Sequence, residues 1–113
     1  SLADAINKKP SELSGGMRKR LGLARTLILK PKIILYDEPT TGLDPVTSQE
    51  ISQLILEIQE KFNTSSIIIT HDMKCAKITA NHIKMLGQGN FYAEGNYNEL
   101  KKSTDEEIKA YFN

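Results

Sequence analysis

Two adjacent acids, Asp37 and Glu38, follow an unbroken apolar run, Ile33-Ile34-Leu35-Tyr36. Such a run with β-branched residues suits a strand buried on both faces, as in a parallel sheet. Ligands of parallel α/β sheets bind at the carboxyl ends of the strands. The acids therefore stand where a phosphate and its metal would sit. Mg2+ takes one or two carboxylates together with substrate phosphates, and Glu38 beside it is placed to polarise a water. An acid pair followed by Pro39 also opens ordinary solvated turns, so the pair alone does not decide. A second run, Ser66-Ile67-Ile68-Ile69-Thr70, leads into His71 and Asp72. If the two strands are parallel neighbours, His71 emerges beside Asp37 and Glu38. Ser14-Gly15-Gly16 reads as a helix start, with Ser as the cap and small residues in the first turn. Unpaired amides and the positive dipole end make such a start an anion site, although a string this short is equally an ordinary capped helix.

The elements that must position these groups follow from periodicity. Apolar residues at Met17, Leu21, Ala24 and Ile28 form a helical stripe, with Arg18, Lys19, Arg20 and Arg25 largely off it, as on a solvated face. Lys30-Pro31-Lys32 ends that helix. Residues 37–45 hold three acids, two prolines and one glycine, the composition of a loop. Thr47 and Glu50 have the form of a capping box, and Ile51, Leu54, Ile55, Ile58 and Phe62 give the clearest amphipathic pattern in the chain. Asn63-Thr64 breaks it before the second strand. Strand, helix and strand make a βαβ unit with a right-handed crossover. A short mixed helix is expected to about Ala80, then a hairpin over 82–86 and 91–94 turning at Gly87-Gln88-Gly89-Asn90. Thr104 and Glu107 form a second possible capping box, opening a last short helix through Ile108, Tyr111 and Phe112. Residues 1–12 are polar and lack periodicity, with Pro10 closing them.

Composition narrows the classes. At 113 residues the chain is one small domain, and with no Trp its core must be aliphatic. The net charge of +1 gives no electrostatic case for nucleic acid or a membrane surface. The charge is uneven, however: residues 1–32 carry eight Lys/Arg against two acids, and residues 33–113 carry seven against twelve. A single cysteine, Cys75, excludes an internal disulfide and a zinc site of paired thiolates. No apolar run approaches the ~18 residues of a membrane span. The opening Ser-Leu-Ala-Asp is no signal peptide and lacks Met, which suggests a processed or excised piece.

In order, the chain holds Leu13-Ser14-Gly15-Gly16, Ile33-Ile34-Leu35-Tyr36-Asp37-Glu38-Pro39, Thr41-Gly42-Leu43-Asp44-Pro45 and Ile69-Thr70-His71-Asp72. This series resembles the nucleotide-binding subunit of ATP-binding cassette (ABC) transporters, with its signature motif, Walker B strand, D-loop and switch histidine. The resemblance implies the second half of a P-loop ATPase domain, an α/β fold with a parallel βαβ core, a C-terminal β-hairpin and a short helix. It implies that Ser14 and the amides of Gly15 and Gly16 contact the γ-phosphate of ATP held by an opposite subunit. Asp37 would act on Mg2+ through bound water, and Glu38 would be the general base for the attacking water. Asp44 would lie at the seam of the homodimer, and His71 would contact the γ-phosphate. The implied partners are a second ATPase subunit and membrane permease subunits, with no nucleic acid. The implied place is the cytoplasmic face of the inner membrane.

The sequence also departs from that family. It contains no G-x-x-x-x-G-K-[ST] loop, and the Gln-containing loop and adenine-stacking aromatic expected upstream are missing too. Residues 1–113 thus read as a partial ABC ATPase domain lacking the Walker A half, and in isolation the fragment is expected to be inactive. Met17 after the glycines, the string from Thr40 to Ser48, and Ser103-Thr104-Asp105-Glu106-Glu107 resemble the ATPase of phospholipid-moving Mla (toluene-tolerance) systems. A glycine-betaine or oligopeptide-type importer is the alternative within the family. A DNA-repair or chromosome-maintenance ATPase is the alternative outside transport, although no long coiled-coil insertion is suggested.

Overall fold

A computed structural model describes residues 14–112. Leu13 and residues 1–12, with the polar stretch read above, lie outside the described residues. The first helix, α1 (Gly15–Ile28), is capped as the sequence suggests: the Ser14 hydroxyl accepts from the Met17 amide at 3.1 Å. Its inward face is set differently from the expected stripe. Leu23 and Leu27 pack against the core, whereas Ile28 is exposed and no α1 residue is fully buried. Strand β1 (Ile33–Asp37) leads to the acidic loop, and α2 (Pro45–Phe62) follows.

The cap of α2 is Asp44, three residues ahead of the predicted Thr47. Its carboxylate accepts from the Thr47 amide at 3.0 Å and from the Thr47 hydroxyl at 2.6 Å. A carboxylate complements the positive end of the helix dipole better than a hydroxyl, and Pro45 in the first turn needs no amide partner. Asn63, in the left-handed region at φ 51°, ends the helix. Strand β2 (Ser65–Ile69) then pairs parallel with β1, Ile33 against Ser65 through Asp37 against Ile69. The βαβ unit is therefore present as read.

The expectation that both strands are buried on both faces fails. Ile34 and Tyr36 are buried with Ile51, Ile55 and Ile58 of α2. On the opposite face Ile33, Leu35, Ile67 and Ile69 are each 59–72% exposed. Only one face of this two-stranded sheet has a covering helix among the described residues.

Helix α3 (Met73–Thr79) is capped by Asp72 and packs on α2, burying Cys75, Ala76 and Thr79. The hairpin is β3 (Ile83–Gly87) with β4 (Asn90–Gly95), antiparallel and bulged at Met85/Leu86. Its two-residue turn, Gln88-Gly89, has φ of 50° and 80°, the doubly positive pattern that matches strand twist. Two short helices follow instead of one. The sequence reading missed α4 (Tyr97–Lys101), whose Asn96 and Glu99 cap each other's amides at 2.8 and 3.1 Å. Helix α5 (Glu106–Tyr111) is capped by Asp105 rather than Thr104. Met85, Leu100 and Ile108 form a second core, separate from that of α2.

Candidate functional site

Parallel pairing brings the loops after β1 and β2 to one edge, and Glu38 and His71 meet there. Nδ1 of His71 lies 3.0 Å from Oε2 and 3.2 Å from Oε1 of Glu38. The Thr41 hydroxyl donates to Oε2 at 2.9 Å. Because a carboxylate only accepts, His71 must carry a proton on Nδ1 to make this contact. These donors, His71 first and Thr41 next, hold the Glu38 carboxyl below the ordinary carboxylate range. Glu38 thus stays ionised, with its carboxylate aimed from two sides.

The backbone of Glu38 is unusual as well. Its φ of 49° lies in the left-handed region, which costs a non-glycine residue about 1–3 kcal/mol. Three hydrogen bonds fix it. The Glu38 amide donates to the Ile69 carbonyl at 2.8 Å, and the Glu38 carbonyl accepts from the Thr41 amide at 3.2 Å and from Lys19 Nζ at 3.1 Å. The two loops are tied again by Thr40, a buried residue whose hydroxyl donates to Asp72 at 2.8 Å. Asp72 in turn takes the first amides of α3, at 3.0 and 3.2 Å.

Asp37 ends β1, exposed and next to Glu38. Among the described residues no three His, Cys, Asp or Glu side chains converge as a metal cage. A single carboxylate at a sheet edge nevertheless suits Mg2+, which completes its shell with phosphate oxygens and water. Ser14, Gly15 and Gly16 begin α1, and the two glycines lie against the loop that carries Asp44 and the helix start it caps. A Cβ on Gly15 would meet Leu43 at 2.9 Å, and one on Gly16 would meet Thr47 at 2.7 Å. Asp44 is exposed and spends its carboxylate on capping α2, and its bonds to Thr47 lower its pKa.

The ABC transporter family profile matches residues 1–41. A dimeric ATP-binding cassette, MJ0796 in a post-hydrolysis state with ADP and Pi, superposes with a TM-score of 0.70 at 36% identity. That match covers 80% of this chain and 39% of MJ0796. A nucleotide-free ATP-binding cassette of an ABC transporter superposes with a TM-score of 0.85 at 28% identity, over 99% of this chain and 45% of its own. The fold is that of part of an ABC ATPase cassette. Among curated relatives, a probable ribonucleotide transport ATP-binding protein, mkl, of Mycobacterium leprae is 41% identical over 94% of this chain and 30% of its own length. The methionine import ATP-binding protein MetN of Coxiella burnetii is 39% identical over 98% and 32%. The chain therefore spans about a third of the length of these relatives. No helix of the described residues is long and apolar enough to cross a membrane.

Three residues of the cassette edge escaped the sequence reading. Thr40 and Thr41 stood only inside a motif string, though hydroxyls next to an acid pair are natural donors. Lys19 was assigned to a solvated basic face, yet it is half-buried and bonded to Glu38; Arg20 likewise pairs with Glu50 at 3.2 Å.

The two glycines differ in what they spare. Leu43 Cδ2 is the far end of a flexible side chain, whereas Thr47 is short, β-branched and pinned to Asp44. Gly16→Ala should therefore destabilise the fold by about 1–3 kcal/mol, and Gly15→Ala by less. Urea melts of the two variants check the order, and equal losses would contradict it.

Proposed function

We propose that this chain is the signature-to-switch part of an ATP-hydrolysing, nucleotide-binding subunit of a bacterial ABC transporter. The Glu38–His71 pair at the carboxyl edge of a parallel sheet is the observation that carries the reading. In it Glu38 orients and deprotonates the attacking water, and His71 holds the Glu38 carboxylate while facing the γ-phosphate. Asp37 would hold Mg2+ through water, the ion supplying charge neutralisation of the phosphates when bound. Phosphoryl transfer asks for positioning and charge stabilisation more than for strong basicity, so a carboxyl held low by two donors is no handicap.

Ser14, Gly15 and Gly16 present a capped, glycine-lined helix start, as an anion site for a neighbour's nucleotide would require. Asp44 at the adjoining loop would then lie at the seam of the homodimer. MJ0796, itself dimeric, supports this arrangement. The phosphate cradle would come from sequence that residues 1–113 do not contain, which makes the chain a partial ATPase domain, inactive alone. Membrane permease subunits are the further partners, and the cytoplasmic face of the inner membrane is the place. Phospholipid cargo of the Mla type rests on Met17, on the Thr40 to Ser48 string and on Ser103 to Glu107. The methionine import relative favours a small-molecule importer as the second reading. Co-purification of the full-length subunit with its permease, followed by extraction of bound lipid, separates the two.

His71→Ala tests the site itself. The His71 side chain is 75% exposed, so its loss should leave the melting temperature within about 2 °C. ATP turnover of the full-length subunit should fall by roughly 100-fold. Preserved turnover would remove His71 from the reaction.

A further inference from the structure

We infer that Lys19 is a positioning residue for Glu38, joining α1 to the backbone of the proposed base. The inference rests on the reading of Glu38 given above and goes one step beyond it. Lys19 stands on the second turn of α1, whose cap is Ser14 and whose first turn carries Gly15 and Gly16. Its Nζ crosses to the loop after β1 and donates to the Glu38 carbonyl at 3.1 Å. That carbonyl belongs to a residue held at φ 49°, where a non-glycine backbone does not rest unaided. Its only other donor among the described residues is the Thr41 amide, at 3.2 Å, within the same loop. Lys19 therefore fixes the carbonyl side of Glu38 from outside its own loop, as the Ile69 carbonyl fixes the amide side at 2.8 Å.

The choice of residue fits the task. A charged donor makes a stronger bond to a carbonyl than a neutral one. The Lys stem can also lie along the packed side of the helix while its head reaches a polar atom. Neighbouring cations have other employment: Arg20 is taken by Glu50. The contact is to the carbonyl and not to the carboxylate, whose lowered pKa comes from His71 and Thr41. Lys19 therefore sets where the carboxylate points and leaves its ionisation to others. Losing the bond removes one of the three hydrogen bonds on this backbone, which loosens the aim of the carboxylate at the water it must orient.

The test measures kcat and KM for ATP in the full-length subunit as wild type, Lys19→Met, Lys19→Arg and Glu38→Gln. Lys19→Met should lower kcat by about five- to tenfold with KM within about twofold. Lys19→Arg, which keeps a charged donor of similar reach, should recover most of the loss. A Lys19→Met enzyme with kcat within about twofold of wild type overturns the inference. So does a fall in kcat that Lys19→Arg does not rescue and that tracks a loss of melting temperature. If Lys19→Met does not fold, Lys19→Gln is read in the same assay against the same limits. Glu38→Gln separates the two layers. Wild-type hydrolysis by that variant means the base assignment has failed, whereas a dead Glu38→Gln beside an unaffected Lys19→Met removes only the role of Lys19.

Discussion

Glu38→Gln in the full-length subunit should cut ATP hydrolysis by about 100-fold or more while leaving ATP affinity within about threefold. The amide keeps the size of the side chain and can still receive the Thr41 hydroxyl on its oxygen, but it cannot take a proton from water. The stability change should be small, because the Glu38 side chain is only partly buried and its partner His71 is open to solvent. The variant should therefore collect as an ATP-bound dimer, visible as a stable larger species on size exclusion only when ATP is present. Stopped-assay phosphate release and equilibrium nucleotide binding, measured on the same preparation, decide the matter. Hydrolysis within tenfold of wild type would show that another group takes the proton.

The second large effect concerns the 113 residues in isolation, which should self-associate. Ile33, Leu35, Ile67 and Ile69 line one face of the β1–β2 pair, and none has an apolar cover among the described residues. Each large aliphatic side chain left in water forgoes about 1.5–3 kcal/mol, against a total domain stability of about 5–15 kcal/mol. Strand β2 also has no partner on its outer side among the described residues, and an unpaired apolar edge templates pairing with another chain. The weight-average mass in sedimentation should rise with concentration, and Leu35→Thr with Ile67→Thr should lower the association. A monomer at every concentration with a sharp melt would contradict this.

How much of this was legible in the sequence depends on the distance over which each contact acts. The βαβ unit was readable because its signals are local: an apolar run, a helical stripe and a second run. Glu38 and His71 could be brought together on paper because parallel pairing puts both strand ends at one edge. Helix caps were misread twice in the same way. Thr47 and Thr104 matched a sequence pattern, but the nearby carboxylates of Asp44 and Asp105 are better acceptors for the first amides. Helix α4 was missed because five residues are too few to show a period, although Asn96 and Glu99 were there to be noticed. The open strand face shows the limit of a local pattern: an apolar run reports that a residue can be buried, not that its cover lies within these residues. Lys19 was beyond reach of any local pattern. Its partner is a backbone carbonyl 19 positions on, and a carbonyl leaves no mark in the sequence.

The two separate cores have a consequence for how the molecule opens. Ile34, Tyr36, Ile51, Ile55 and Ile58 hold the sheet edge with Glu38 and His71, while Met85, Leu100 and Ile108 hold the hairpin and the last two helices. Clusters that share no buried residue can come apart one at a time, and cooperative units of this kind exchange their amide hydrogens at different rates. The smaller cluster has three buried residues against five in the other. The hairpin and its helices should therefore loosen in brief excursions while the edge with Glu38 and His71 stays assembled. Proteases and solvent would reach the last thirty or so residues first.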